Sequence, residues 1–529
     1  MIKCLLRVAA ILAAGTFSLS AMAANPAPVH VQNGWVQGST IPGLTVYKGI
    51  PFAAPPVGNL RWRAPQPAAN WSGVLHADHF GDTCMQRIDS WMGPLHAGEN
   101  CLKVDVWTPA KSPTANLPVM VWIYGGGFTQ GSTAIRMYNG ANLARHGVVV
   151  VSVAYRVGAM GFLALPALSA ESPHHVSGNY GMLDQIAGLK WVQRNIAAFG
   201  GNPHHVTIFG ESAGGISVSL LAASPLARGL FQAAICESGS SFGPSRTLAN
   251  AERQGVAFEK KLGVTSLAQL RKLPASVIQK ASDQGFGEFW PIRDNYVVVG
   301  NLYNLYEKGE YNKTPILIGT NSDEGALFGT PPSLQVYKEG VEHRFGPFAS
   351  RILKLYPATP ADWRQSSMNL FRDSGFAWGT WAWARLQAQT SQKKVYVYYF
   401  NHIQPRPANS PWKNAIGAVH SEEMVYVFQH IDQSPNLPWT AVDRKLSDQM
   451  STYWTNFAKN YNPNGPGLPH WPAFTDAHQL VMHFTDTPHP GPVANLQDLK
   501  AMDAYYAWMR SPQGKAWSRE HSQFAHKPH

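Results

Sequence analysis

Val206-Thr207-Ile208-Phe209 runs into Gly210-Glu211-Ser212-Ala213-Gly214-Gly215, and an apolar stretch follows from Ile216. The first four residues are β-branched or aromatic and read as a strand; the stretch after the glycines reads as a helix. Between them lies G-x-S-x-G. A serine hydroxyl is a weak nucleophile and has to be aimed off the sheet towards a base. A sharp strand-to-helix turn does this, and glycines on either side remove the clashes that such a turn creates. The N-terminus of the following helix adds a positive field where an oxyanion would form. Ser212 is therefore the candidate nucleophile.

Outward from this turn, apolar strands recur at Leu102 to Trp107, Val119 to Tyr124, Val148 to Tyr155 and Ile316 to Ile318. Near-continuous β-branched runs of this kind suit strands buried on both faces. Helical segments lie between them. Met182, Ile186, Leu189, Val192 and Ile196 form a 3.6-residue stripe that stops at Gly200-Gly201. This alternation predicts an α/β fold: a large, mostly parallel central sheet flanked by helices. Val29 to Gln37 reads as a hairpin around Asn33-Gly34, Ala54 to Pro67 as proline-rich coil, and Ser447 to Asn460 as a helix. Residues 330 to 390 read as inserted helical cap segments. No repeat or linker divides the chain, so residues 24–529 are expected to form one domain with insertions.

A second glycine cluster follows another strand, in Val121-Trp122-Ile123-Tyr124-Gly125-Gly126-Gly127-Phe128. Without Cβ atoms, such a loop lets backbone N–H groups approach a substrate oxygen. Gly126 and Gly127, with the N–H of Ala213, are the candidate oxyanion donors.

Composition excludes several function classes. The chain is 45% hydrophobic and 14% charged, which permits a large core. The formal charge of +11 is scattered, with two units from Lys3 and Arg7, and nucleic-acid footprints are usually clustered. Residues 1–23 read as a signal peptide. Lys3 and Arg7 precede an apolar run from Val8 to Leu19, and Ala21-Met22-Ala23 suits cleavage before Ala24. That run is short of the roughly 20 residues a membrane span needs, so the expectation is a soluble exported protein, secreted or periplasmic. Export suits a Cys84–Cys101 disulfide, with Cys236 left as a buried thiol. No H-E-x-x-H, paired CxxC or dinucleotide-type GxGxxG is present, so no cofactor or metal is expected.

An acid and a base should follow the serine in chain order. Thr314 to Gly319 is a strand leading to Asp323-Glu324-Gly325, and composition alone does not choose between the two acids. Many histidines follow, and order alone selects none of them.

Taken together, the chain resembles the type-B carboxylesterase family, which includes bacterial para-nitrobenzyl esterases and the cholinesterases. Gly49-Ile50-Pro51-Phe52-Ala53, Leu60-Arg61-Trp62, Glu99-Asn100-Cys101-Leu102 and Gly210 to Gly215 carry the resemblance, which spans nearly the whole mature chain. It implies an α/β-hydrolase fold and a serine carboxylesterase. Glu324 takes the acid's place, and His420, in Val419-His420-Ser421-Glu422-Glu423, takes the base's. Glu211 resembles a buried glutamate that orders the gorge, and Ser238 a serine beside the acid. Phe286, Phe289 and Trp290 resemble an acyl-pocket wall. Trp91 lies where the cholinesterases place a cation-binding ring, but its surroundings differ, so choline esters are not expected. A pair between Glu99 and either Arg61 or Arg63 would be structural.

The expected reaction is hydrolysis of small to medium carboxylic esters through an acyl-enzyme. The partner is a small-molecule ester, with no nucleic acid and no stable membrane insertion; a monomer is favoured. Two alternatives compete with this reading. Non-catalytic adhesion relatives of this fold typically lack the nucleophile, which this chain keeps. A lipase needs a wide apolar acyl groove, which three bulky aromatics oppose.

Overall fold

The structure is a computed structural model and describes residues 26–283 and 287–521. The signal-peptide reading and Phe286 lie outside the described residues.

Eleven strands form the main sheet: β1 (Ser39–Ile41), β2 (Leu44–Pro51), β3 (Lys103–Thr108), β4 (Leu117–Ile123), β5 (Val149–Val153), β6 (Gly201–Glu211), β7 (Ala233–Glu237), β8 (Ile316–Asn321), β9 (Val395–Phe400), β10 (Leu480–Phe484) and β11 (His489–Pro492). Their spatial order is β11-β10-β9-β8-β7-β6-β4-β5-β3-β2-β1. From β10 through β5 every pair is parallel, and antiparallel strands finish both edges. The parallel strands are the buried β-branched runs: all five residues of β5 are inside, and β4 is buried from Val119 to Ile123.

Several strands carry less signal in their residues. Ala233–Glu237 has small side chains, and Leu44–Pro51 contains glycine and proline; neither shows the run or the alternation that marks a strand alone. Lys103–Thr108 is buried as its composition suggests, yet it pairs antiparallel with both neighbours. Burial on two faces reflects covering layers, not strand direction.

Helices cover the sheet. In α1 (Tyr180–Asn195), Met182, Ile186, Leu189 and Val192 are buried; a 3-10 turn follows and ends at Gly200, whose φ of +78° stops the helix. Next come α2 (Ala213–Ala223), α3 (Trp363–Arg372), α4 (Trp378–Thr390) and α5 (Ala441–Asn460). The expected cap region is helical, and a π-helical turn, Asp373–Ala377, joins α3 to α4. Helix α5 starts at Ala441 rather than Ser447, because Thr440 and Asp443 form a reciprocal capping box.

Most of the aromatic load is core. Trp107, Trp122, Trp191, Trp378, Trp383, Trp454 and Trp471 are fully buried. Trp122 on β4 packs on Phe209 of β6 and on Phe428, beneath the turn that carries Ser212. Val29–Val31 and Gly34–Gln37 form the expected hairpin, to which Val74–His76 adds a strand. Cys84 and Cys101 are joined by a disulfide, and Cys236 is buried and free. Among the described residues, no helix is long and apolar enough to cross a membrane.

Candidate active site

Parallel β-strands present their C-terminal ends along one edge, and the serine turn, the glycine loop and the two acids follow directly from those ends. Strand β6 ends at Glu211, and α2 begins at Ala213. Ser212 between them has φ +55° and ψ −122°, a conformation that L-residues avoid. The neighbours hold it: Ser212 N–H donates to Glu237 O at 2.9 Å, and Ile216 N–H to Ser212 O at 2.8 Å. The glycines are required by contact. A Cβ on Gly214 would lie 2.0 Å from Ile123 O, so only glycine lets α2 approach β4.

Strand β4 runs into Gly125-Gly126-Gly127. Gly126 has φ +105° and Gly127 +61°. Among the described residues, the N–H groups of Gly126, Gly127 and Ala213 have no protein acceptor.

Strand β8 ends at Asn321 and delivers the two acids. Glu324 is fully buried. Its Oε2 accepts from His420 Nδ1 at 2.5 Å, and its Oε1 accepts from Ser238 Oγ at 2.6 Å and Asn321 N–H at 2.7 Å. Asp323 faces elsewhere: its Oδ2 accepts from Ile416 N–H at 3.1 Å, and its N–H donates to Ala418 O at 2.8 Å. Asp323 thus pins the histidine loop while Glu324 reaches the imidazole.

That loop is braced rather than loose. Arg406 forms a bidentate pair with Glu422, 2.7 Å on each arm, and donates to Gly417 O at 2.6 Å. Asn321 Nδ2 donates to Val419 O at 2.8 Å and to Glu423 Oε2 at 2.5 Å. The rings of Phe328 and Phe376 close over His420, at 5.3 and 4.8 Å between centroids. Phe376 lies in the π-helical turn, a distortion often found at functional sites. Sequence reading missed Phe328, Phe376, Asn321 and Arg406. A π-turn has no simple residue signature, and the others act across long chain separations.

Beyond Nδ1, the imidazole is buried but unpartnered. His420 Nε2 lies 3.2 Å from Glu211 Oε1 but off the hydrogen-bonding line, so it has no hydrogen-bond partner. Among the described residues the Ser212 hydroxyl has none either. Such contacts often close only when substrate binds. Burial pulls the imidazolium pKa down, but the charges of Glu211 and Glu324 outweigh it and hold the value above the ordinary histidine range. Burial likewise raises Glu211, against His420 and a hydrogen bond from Ser421, and pushes Glu237 up to about 8.

The remaining candidates are more dispersed. Trp290 meets Phe128, beside the glycine loop, edge-on at 4.7 Å. Phe289 is buried against Phe258. Trp91 is 53% exposed on a 3-10 turn inside the disulfide loop. Arg61, not Arg63, pairs with Glu99, and it also donates to Arg271 O and Leu273 O.

The carboxylesterase family pattern matches residues 25–504. The chain belongs to the carboxylesterase family. It is 37% identical to fumonisin B1 esterase of Sphingopyxis macrogoltabida over 468 residues, which cover 84% of each chain. It is 37% identical to para-nitrobenzyl esterase of Bacillus subtilis (strain 168) over 470 residues, 84% of this chain and 92% of that one. A solved PNB esterase structure superposes with a TM-score of 0.79 at 34% identity, covering 90% of this chain and 99% of the other. As a member of the carboxylesterase family, the protein is a carboxylic ester hydrolase.

Proposed function

We propose that this carboxylesterase hydrolyses small to medium carboxylic esters through an acyl-enzyme on Ser212. The observation that carries the reading is the 2.5 Å contact between Glu324 Oε2 and His420 Nδ1, which leaves Nε2 open at the end of β6. With Nδ1–H committed to the carboxylate, the neutral ring keeps its lone pair on Nε2. Nε2 takes the Ser212 proton as the hydroxyl attacks the ester carbonyl. Glu324 stabilises the imidazolium so formed. The carbonyl oxygen, now carrying charge, is received by the free N–H groups of Gly126, Gly127 and Ala213. The imidazolium then protonates the leaving alcohol, and water, deprotonated by the same nitrogen, releases the acid.

Trp290 beside Phe128 supports a bounded acyl side, which favours short and medium chains over long ones. The Cys84–Cys101 disulfide supports work in an oxidising compartment after cleavage before Ala24. The protein acts as a monomer on a small-molecule ester.

The test is hydrolysis of para-nitrophenyl esters from acetate to palmitate by the wild type and Ser212→Ala. A short-chain optimum that the substitution abolishes is expected. A long-chain optimum would move the reading to a lipase, and equal activity in both proteins would overturn the triad.

A further inference from the structure

The residue after the base adopts an unfavourable backbone. Ser421 has φ +71°, a left-handed value that glycine takes freely and other L-residues rarely do. Its side chain is committed to one partner, for Oγ donates to Glu211 Oε1 at 2.6 Å. That same oxygen lies 3.2 Å from His420 Nε2 without forming a hydrogen bond to it. The other carboxylate oxygen lies against Gly125, where an added Cβ would come 3.0 Å from Glu211 Oε2. Glu211 is thus held beside the open nitrogen of the base, close enough to act on its charge and turned so as not to bind it.

A buried carboxylate next to an imidazolium should otherwise form an in-line ion pair. The surroundings sharpen that pull. The ionisable groups facing Glu211 and His420 are Glu324, Glu237, Glu423, Tyr138 and Cys236, and none of them is a cation. His420 is the one positive partner that this cluster can supply among the described residues. If Glu211 took Nε2–H in line, the nitrogen would be unavailable to the Ser212 hydroxyl.

We propose that Ser421 is a positioning residue, whose hydroxyl holds the Glu211 carboxylate off the Nε2 line and so keeps the base free for Ser212. The inference rests on the reading of His420 as the base. Without the Ser421 donor, Glu211 turns onto Nε2, the imidazolium is better held, and the pair gives up its proton at higher pH. The hydrogen bond from Ser421 favours the ionised carboxylate, so its loss also raises the affinity of the pair for one proton.

The experiment compares wild type with Ser421→Ala and Ser421→Gly, each also in a Glu211→Gln background, over pH 5 to 9 (the span in which a histidine titrates, roughly). Two quantities are read: kcat/KM on para-nitrophenyl butyrate, and the 13C-histidine resonance that is missing in His420→Gln. Both single variants should move the acid limb and the resonance midpoint up by roughly half to one unit, the lower end of what a close opposite charge produces. Activity should approach wild type at the alkaline end. Alanine keeps the backbone strain and glycine relieves it, so equal shifts assign the effect to the hydroxyl. In Glu211→Gln the substitutions should add nothing. An unmoved or lowered midpoint, or a shift that persists in Glu211→Gln, overturns the proposal. If Ser212→Ala retains full activity, the esterase reading fails by itself, and the resonance still decides the role of Ser421.

Discussion

In the proposed mechanism Glu324 is the residue on which the base depends, because its two oxygens have different partners. Oε2 fixes the imidazole, while Ser238 and the Asn321 N–H fix Oε1, so the carboxylate cannot rotate away. An amide in its place presents a donor to Nδ1 as readily as an acceptor and stabilises the wrong tautomer. Glu324→Gln should lower kcat on a short-chain para-nitrophenyl ester by about 10⁴-fold, as in comparable triads. The raised His420 pKa gives a second expectation. As the proposed base, His420 works only when neutral, so the acid limb of kcat/KM should lie above the ordinary histidine value of about 6.5. For stability the sign is opposite. A group whose pKa is raised on folding contributes stability that is full below its unfolded value and lost as pH rises through the folded one. Activity therefore grows over the interval in which this contribution fades, which paired rate and urea-unfolding measurements against pH would show.

At the scale of elements, the candidate site is built on turns at strand ends. The left-handed and otherwise unfavourable backbones at Ser212, Ser238, Ser421 and Gly126 all lie at this edge of the sheet. Such conformations cost about 1–3 kcal/mol each for residues other than glycine and persist only where packing enforces them. At Gly126 an added Cβ would lie 2.3 Å from Gln130 O, on a backbone with φ +105°. Gly126→Ala should distort the loop that carries two of the proposed oxyanion donors and reduce kcat by roughly 10²–10³-fold, with a smaller change in KM, as for loss of one oxyanion donor. Steady-state kinetics on acetate and butyrate esters would measure this.

Across the whole molecule, the candidate site is assembled by distant parts of the chain on one sheet. Ser212, Glu324 and His420 come from three separate connections. Cys84 and Cys101 are 17 residues apart. A loop of this size should contribute about 3 kcal/mol by restricting the unfolded chain. Cys84→Ser with Cys101→Ser should lower the urea midpoint accordingly, while activity without denaturant persists because neither cysteine touches the triad.

The nucleophile turn, the glycine loop and the parallel strands were legible in the residues, since each is a local pattern whose physics operates within about ten positions. The resemblance then pointed to Glu324 and His420. Local pattern could not separate Asp323 from Glu324 or choose one histidine, because a triad is a set of distances across the fold. Neither could it find Phe376, which a π-turn swings over the imidazole, nor the partnership of Ser421 with Glu211, 210 residues apart in the chain. Strand direction at β3 was equally hidden, because burial acts on both faces alike while hydrogen-bond register is settled by whichever strand lies alongside.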